Sequence, residues 1–489
     1  MGTILWKASP LCCIGIFVLM LLQGVLPLAI AWIAKLIFDL LAHSLTGSIG
    51  IPPELWTLLG LQVGVSVLSQ VLQPLGGFLN SELTRQITIN TQNDIFKKLV
   101  GMEGLASFEN PQNYNLIQMA VQGAQFGPQQ LLFLGADILR NVSTLIAFMG
   151  LLFSFNPILA GIVTVATLPQ LFIQWKIGSQ HLGLLFQNTP KERRAAYMGF
   201  ILSGASFAKE LRLLNLGDYF LGLFNKLYRE IFHTQRNQQS REIVSNTALY
   251  TLSSLISGGA FVYTAVQAFA GKLSLGDATL YLNAVSSVQG AFSGITYSLA
   301  NLNEGILFFN QYQELVDLPQ TIAISTTALR MPPLRKGLEI RNVSLRYSEQ
   351  LPWVLHDINL TIPVGQSLAL VGLNGAGKTT LVKLLTRIYD PLEGRILWDG
   401  TDIRELDPKE YRQRIRAVFQ DFVRYELSAR ENIGLGDVSA LSDEKWIRTA
   451  AQQAGIDSTI LNLPQKYDTI LSRWLAEDGQ GIDLSGGEW

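Results

Sequence analysis

The stretch Gly372-Leu-Asn374-Gly375-Ala-Gly377-Lys378-Thr379-Thr380 has residue types and spacing that could do chemistry. Glycines without a Cβ let successive backbone N–H groups curl around phosphate oxygens. A helix opening directly after such a loop presents its positive N-terminal end to the same anion. The ammonium of Lys378 reaches terminal phosphates, and the Thr379 hydroxyl can ligate a divalent cation. Two further segments carry weaker signals. Arg416-Ala-Val-Phe-Gln420-Asp421 is an apolar run ending in a polar amide, and on its own Gln420 is an ordinary surface glutamine. Leu484-Ser485-Gly486-Gly487-Glu488 offers a serine and two glycines, a pattern that predicts a helix N-terminus able to hold an anion.

The elements that must position these residues begin at Gly337, where the composition changes. Leu338–Tyr347 alternates apolar and polar residues and predicts a strand; Leu355–Ile362 predicts a second. Gln366–Val371 predicts a third, more deeply buried strand that leads into the glycine loop. Leu381-Val-Lys-Leu-Leu385 continues the loop as a helix. A mixed linker, Leu318–Lys336, with Pro319 and Pro332-Pro333, precedes this part and sets the domain boundary.

Everything upstream reads as membrane. Of 489 residues, 48% are hydrophobic and 15% charged, against about 25% charged in an average soluble chain. Crossing about 30 Å of hydrocarbon takes about 20 apolar residues. Six segments qualify: Leu11–Leu41, Leu55–Leu79, Leu131–Phe153, Ile158–Trp175, Thr247–Ala270 and the more polar Ala278–Leu302. The first is too long for a signal peptide and reads as a retained span. Loops His43–Glu54 and Ser154–Pro157 carry no Lys or Arg, and Gly271–Asp277 carries only Lys272. The stretch from Lys176 to Arg241 also holds Lys191, Arg193, Arg194, Lys209, Arg212, Lys226, Arg229 and Arg236. The positive-inside rule then places both termini in the cytoplasm. The connections Asn80–Gln130 and Lys176–Asn246 read as helical extensions, each broken by an elbow, at Ser107–Tyr114 and Leu214–Asp218. Such elbows are natural docking points for a cytoplasmic domain, or plain loop punctuation.

Several features read as structural. Lys35 and Asp39 share a helical face near the end of the first span, where snorkelling accounts for them; Arg140 in the third span invites the same reading. Trp32, Trp56 and Trp175 fit interfacial belts. The two cysteines, Cys12 and Cys13, are neighbours in an apolar run and read as packing residues. The net charge of −1 says nothing about nucleic acid, but no basic block appears and no nucleic-acid partner is expected.

Taken together, these residues resemble the ABC transporter superfamily, specifically exporter-type half-transporters. The order matches over the whole chain: six spans, linker, Walker A loop at Gly372–Thr380, Q-loop glutamine, signature motif at Leu484–Glu488. The resemblance implies an all-α six-helix transmembrane domain (1–317), the linker (318–336) and an incomplete α/β P-loop NTPase domain (337–489). It implies ATP and Mg²⁺ as ligands. Tyr347 would stack on adenine. Gly372, Asn374, Gly375, Gly377, Lys378, Thr379 and Thr380 would hold the phosphates. Thr379 and Gln420 would ligate Mg²⁺. Ser485, Gly486 and Gly487 would contact the γ-phosphate held by a partner subunit, with Glu488 replacing the commoner glutamine. Glu477–Gly481 takes the place of the exporter X-loop. The elbows look like the two coupling helices, and Gly271–Asp277 like the turn between the last two spans.

The pattern also calls for a Walker B strand with its Asp and catalytic Glu, a D-loop and a switch histidine. None follows Glu488, and His43, His181, His233 and His356 all lie upstream. The sequence therefore predicts a truncated product or an incomplete sequence whose parallel sheet lacks its Walker B strand. For the complete protein it predicts ATP-driven export by a homodimer or heterodimer in a cell membrane, bacterial by resemblance, with the ATP-binding domain cytoplasmic. Small molecules, lipids and peptides stay open as substrates. No peptidase-like Cys/His domain precedes the first span, so a leader-cleaving peptide exporter is not expected. The alternatives are a hydrolysis-deficient subunit needing a complete partner, a pseudogene product, or an importer with the same shape.

Overall fold

The computed structural model describes residues 5–6, 8–46, 52–155, 157, 160–161, 164, 173, 190–322, 331–476 and 479–489. Most of the expected fourth span lies outside them, as do Trp175, His181, Glu477 and the middle of the linker. The chain forms two compact units. The first comprises Met1–Ala323 with Tyr347–Pro352 and Ile388–Asp390; the second comprises Ile324–Arg346, Trp353–Arg387 and Pro391–Trp489.

The first unit is helical: α1 (Pro10–Thr46), α2 (Pro53–Val100), the short α3 (Ala106–Glu109), α4 (Pro111–Phe155), α5 (Ala205–Leu213), α6 (Gly217–Phe269) and α7 (Leu275–Asp317). Residues 190–203 are also helical. Among the described residues, four helices are long and apolar enough to cross a membrane: α1, α2, α4 and α6. They carry the first, second, third and fifth expected spans. The expected sixth span lies within α7.

A helix rises about 1.5 Å per residue. The 48 residues of α2 and the 53 of α6 therefore extend well beyond a hydrocarbon layer, as the sequence predicts for helices that leave the membrane before turning back. α4 and α7 pack together most extensively. One core joins Phe148 and Leu152 to Leu280, Ala284 and Val288. A second joins Ile95, Leu116 and Ala120 to Tyr312 and Leu315.

The first elbow is α3. It is closed by Asn110, whose side-chain oxygen accepts from the Gln112 amide at 2.8 Å as Pro111 opens α4. At the second elbow Asn215 takes a left-handed φ of 51°, and the Leu216 amide closes α5 on the Leu211 carbonyl at 2.9 Å.

Polar groups inside this unit pair across helices. Lys35 does not snorkel: its ammonium meets Asp277 at 2.6 Å, and Asp39 accepts from the Gly276 amide at 2.9 Å. Arg140 bonds Asp137, a residue the sequence reading passed over. The Asp137 carboxylate also accepts from Asn141 at 2.9 Å and from Ser298 at 2.8 Å, which ties α4 to α7.

The second unit contains a four-stranded sheet of order β2-β1-β3-β4, with β1 (Gly337–Leu345), β2 (Leu355–Pro363), β3 (Glu393–Trp398) and β4 (Thr401–Asp402). Ile340 faces Leu360 on one side and Ile396 on the other. Its short helices are α8 (Lys378–Leu385), α9 (Pro408–Gln413), α10 (Ala429–Gly434), α11 (Glu444–Gln453) and α12 (Asp457–Leu461).

Two expectations need correction. Every ladder among the described residues is antiparallel, whereas a parallel sheet was expected. Gln366–Val371 is not a strand. An apolar run becomes a strand only when a neighbour pairs its N–H and C=O groups. No described strand lies against this one, and its Val371 stays 95% exposed.

Candidate nucleotide-binding site

The glycine loop is built as its residues require. Gly375 and Gly377 have φ of +85° and +86°, a region that side-chain-bearing residues avoid. At Gly377 space also forbids a side chain, because a Cβ there would lie 2.7 Å from Leu355 Cδ2 and 3.0 Å from the Val354 carbonyl oxygen. α8 opens at the next residue, with Gly377 as its cap. Successive N–H groups in such a turn, followed by a helix N-terminus, form an anion-holding concavity. The Lys378 ammonium donates to the carbonyls of Gly372 at 2.7 Å and Leu373 at 2.8 Å, bridging the loop it follows. On the helix's first turn Thr380 is buried, Lys378 half-buried and Thr379 exposed.

The far end of α8 is fixed by residues that the sequence reading missed. Arg387 is fully buried at a φ of 51°. Its guanidinium donates to the Leu406 carbonyl at 2.5 Å and the Arg404 carbonyl at 3.2 Å. The Tyr411 hydroxyl, whose burial pushes its pKa far up, donates to the Leu385 carbonyl at 2.7 Å. Arg412 donates to the Arg387 carbonyl at 3.0 Å. A charged residue just past an amphipathic helix gives no sequence signal that it will be buried.

The other expected site residues are placed less tightly. Gln420 sits exposed at a turn and makes no hydrogen bond among the described residues. Ser485–Trp489 forms one turn, in which the Ser485 carbonyl accepts from the Trp489 amide at 3.2 Å, as at a helix N-terminus. Its Glu488 amide donates to the Ser485 carbonyl at 3.1 Å. The Ser485 amide donates to the Glu488 carboxylate at 2.8 Å, and the bonds with Ser485 hold that carboxyl below its usual range. No hydrogen bond among the described residues joins Gln420 or Ser485–Gly487 to the glycine loop.

Tyr347 belongs to the first unit, 41% exposed, with its ring edge-on to Tyr389 at 5.4 Å. In that unit the Tyr389 hydroxyl donates to Glu109 of α3, and the Leu105 amide donates to the Ile388 carbonyl at 3.2 Å. Burial and Glu109 together push the Tyr389 pKa far up. The donors fit Mg²⁺: hydroxyl and amide oxygens are hard ligands, and this ion keeps several waters and phosphate oxygens rather than a protein cage.

Residues 355–489 match the ABC transporter family. The subtilin transport ATP-binding protein SpaT of Bacillus subtilis is 29% identical over 471 residues, spanning 96% of this chain and 75% of its own length. The chain is similar over nearly its whole length to ABC exporters that fuse a membrane half and an ATP-binding half. The chain is also similar to the nisin transport ATP-binding protein NisT of Lactococcus lactis, 26% identical over 87% of this chain and 70% of that one. Its fold matches the structure of a bacterial Atm1-family ABC exporter with ATP bound, with a TM-score of 0.78, 20% identity and coverage of 98% of this chain and 81% of that one. The chain is thus a multi-pass membrane protein with an ABC-type ATP-binding domain and bacterial exporter relatives.

Proposed function

We propose that this chain is the ATP-binding and permease subunit of a dimeric exporter in a bacterial cell membrane, with a membrane domain at 1–317, a linker at 318–336 and a cytoplasmic ATP-binding domain at 337–489. The observation that carries the reading is the loop: two left-handed glycines, the second sterically closed to any side chain, cap a helix whose first residue is a lysine already aimed at the loop. In this reading the N–H groups of Gly375–Thr379 and the Lys378 ammonium hold the β- and γ-phosphates. Thr379 and Gln420 supply oxygens to Mg²⁺, which when bound neutralises developing phosphate charge. Tyr347 stacks on adenine. Ser485, Gly486 and Gly487 contact the γ-phosphate held by the other subunit of a homodimer or heterodimer. ATP closes that pairing, and the α3 and 214–218 elbows pass the movement to the spans. The hydrolytic step is assigned to no residue of this chain. Relatives named for subtilin and nisin transport make those two the first substrates to try.

The test is equilibrium binding of labelled ATP to the full chain in detergent. A hydrogen bond to a charged group contributes about 1.5–3 kcal/mol, so Lys378→Ala should weaken binding roughly 10- to 150-fold. Unchanged affinity in a folded variant would overturn the reading.

A further inference from the structure

The start of α7 is fastened to the end of α1 by charge. Lys35 and Asp277 meet at 2.6 Å with their side chains 17% and 20% exposed. One turn along α1, Asp39 accepts from the Gly276 amide at 2.9 Å. The approach is close: a Cβ on Gly276 would lie 2.3 Å from the Lys35 carbonyl oxygen and 2.4 Å from Asp39 Oδ1. Asp277 is held in place from its own side. With Ser274 it forms a capping box, accepting from the Ser274 amide at 3.2 Å while the Ser274 hydroxyl accepts from the Asp277 amide at 2.9 Å. One Asp277 oxygen therefore caps α7 and the other faces Lys35, whose ammonium also lies 5.2 Å from the Trp32 ring centroid. Directly inside this clasp is a core of Ala31, Leu280, Tyr281 and Ala284. Within it the Tyr281 hydroxyl is buried without a hydrogen-bond partner among the described residues.

Such a pairing is poor as simple glue. A well-packed apolar contact stabilises as much as a buried ion pair, without the desolvation penalty. Ion pairs and backbone-to-carboxylate bonds differ from apolar contacts in one respect: water can replace them. Once water enters, both carboxylates and the ammonium regain hydration. Such a pairing can therefore exchange its partners for water, as a switching element requires. The clasp also lies at the end of the helices that the charge distribution of the loops assigns to the outside, and α7 runs about 60 Å from it to Asp317.

We propose that Lys35, Asp39, Gly276 and Asp277 form a latch that shuts the outer end of the pathway between α1 and α7 and is released when ATP is bound. This rests on the transporter reading above. The experiment uses the full chain in nanodiscs, with Cys12→Ala and Cys13→Ala removing the native thiols. Tyr281→Cys serves as reporter, with Ala278→Cys as a second reporter should the first fail to fold. A charged, membrane-impermeant thiol reagent reads access. Without nucleotide, Lys35→Asp and Asp277→Lys should each speed labelling at least tenfold, and the double swap should restore slow labelling. Slow labelling in the single variants, or fast labelling in the swap, overturns the latch. ATP should speed labelling with the native pair, and Lys378→Ala should abolish that response. If labelled ATP binds but labelling does not change, the contact is a fixed brace and the latch proposal falls. If labelled ATP does not bind, the transporter reading falls, while the charge-swap result judges the pairing by itself.

Discussion

Gly375 and Gly377 share one backbone conformation, with φ of +85° and +86°, but have different surroundings. A Cβ at Gly375 would meet nothing within 4 Å, whereas one at Gly377 would press on Leu355 and on the Val354 carbonyl. Alanine at either site pays the left-handed penalty of about 1–2 kcal/mol. At Gly377 overpacking adds about 1–3 kcal/mol; the Leu355 methyl can swing aside, but the carbonyl is backbone and cannot. If only the native loop shape takes phosphate, apparent affinity falls by the fraction of molecules holding that shape. Gly375→Ala should then weaken labelled-ATP binding roughly 5- to 30-fold, and Gly377→Ala a further roughly 5- to 150-fold, at about 1.4 kcal/mol per tenfold. Thermal unfolding in detergent should rank the two variants in the same order. Equal losses would mean that the contact with Val354 and Leu355 does not exclude a side chain at 377. Native affinity in both variants would mean that the loop does not hold the phosphates.

Two further outcomes follow from local geometry in the second unit. Ser428 opens α10 as a capping box, its hydroxyl accepting from the Glu431 amide at 3.2 Å and its own amide donating to the Glu431 carboxylate at 2.9 Å. Ser428→Ala should destabilise this unit by about 1 kcal/mol, read by thermal unfolding. The Asp399 carboxyl sits below its usual pKa because it accepts from the amides of Gly337, Arg335 and Lys336. A depressed folded-state pKa gives stability that is present above the unfolded value of 3.8 and lost as pH falls through the lower folded value. Asp399→Ala should therefore unfold at lower temperature than the native chain at pH 7, with the gap closing below about pH 4; a gap independent of pH would count against the clip.

The loop chemistry was legible because it is local: nine consecutive residues set their own conformation. β1 and β2 were legible through their apolar and polar pattern, and Ile340, Val343 and Leu345 of β1 pack inward although the register shifts between them. What escaped the sequence depends on a partner far away along the chain. Asp137 finds Ser298 161 positions later and Lys35 finds Asp277, so each charge, seen alone in an apolar span, invites a snorkelling or packing reading. Arg387 is silent for the same reason, because its acceptors are backbone carbonyls at 404 and 406. The misread strand at 366–371 has the opposite cause. Its composition is that of a buried strand, but composition cannot provide the neighbour that a ladder needs.

That missing neighbour makes a prediction about order in the loop itself. Ile340 is laddered on both sides, to Leu360 and Ile396. In contrast, Val371 and Val418 are 95% and 92% exposed, and 366–371 joins no strand among the described residues. Amides open with free energies set by the contacts that hold them. Hydrogen exchange of the nucleotide-free chain should therefore find 338–345 strongly protected and 367–371 close to unprotected, although both segments are rich in apolar residues. The loop would then be anchored chiefly from its helix side, through Lys378 and the Arg387–Tyr411 clamp. ATP binding would have to supply the ordering of 372–377 and would be weakened accordingly. Protection of 367–371 equal to that of β1 would show that this edge is paired in solution, and the loop would then be held from both ends before nucleotide arrives.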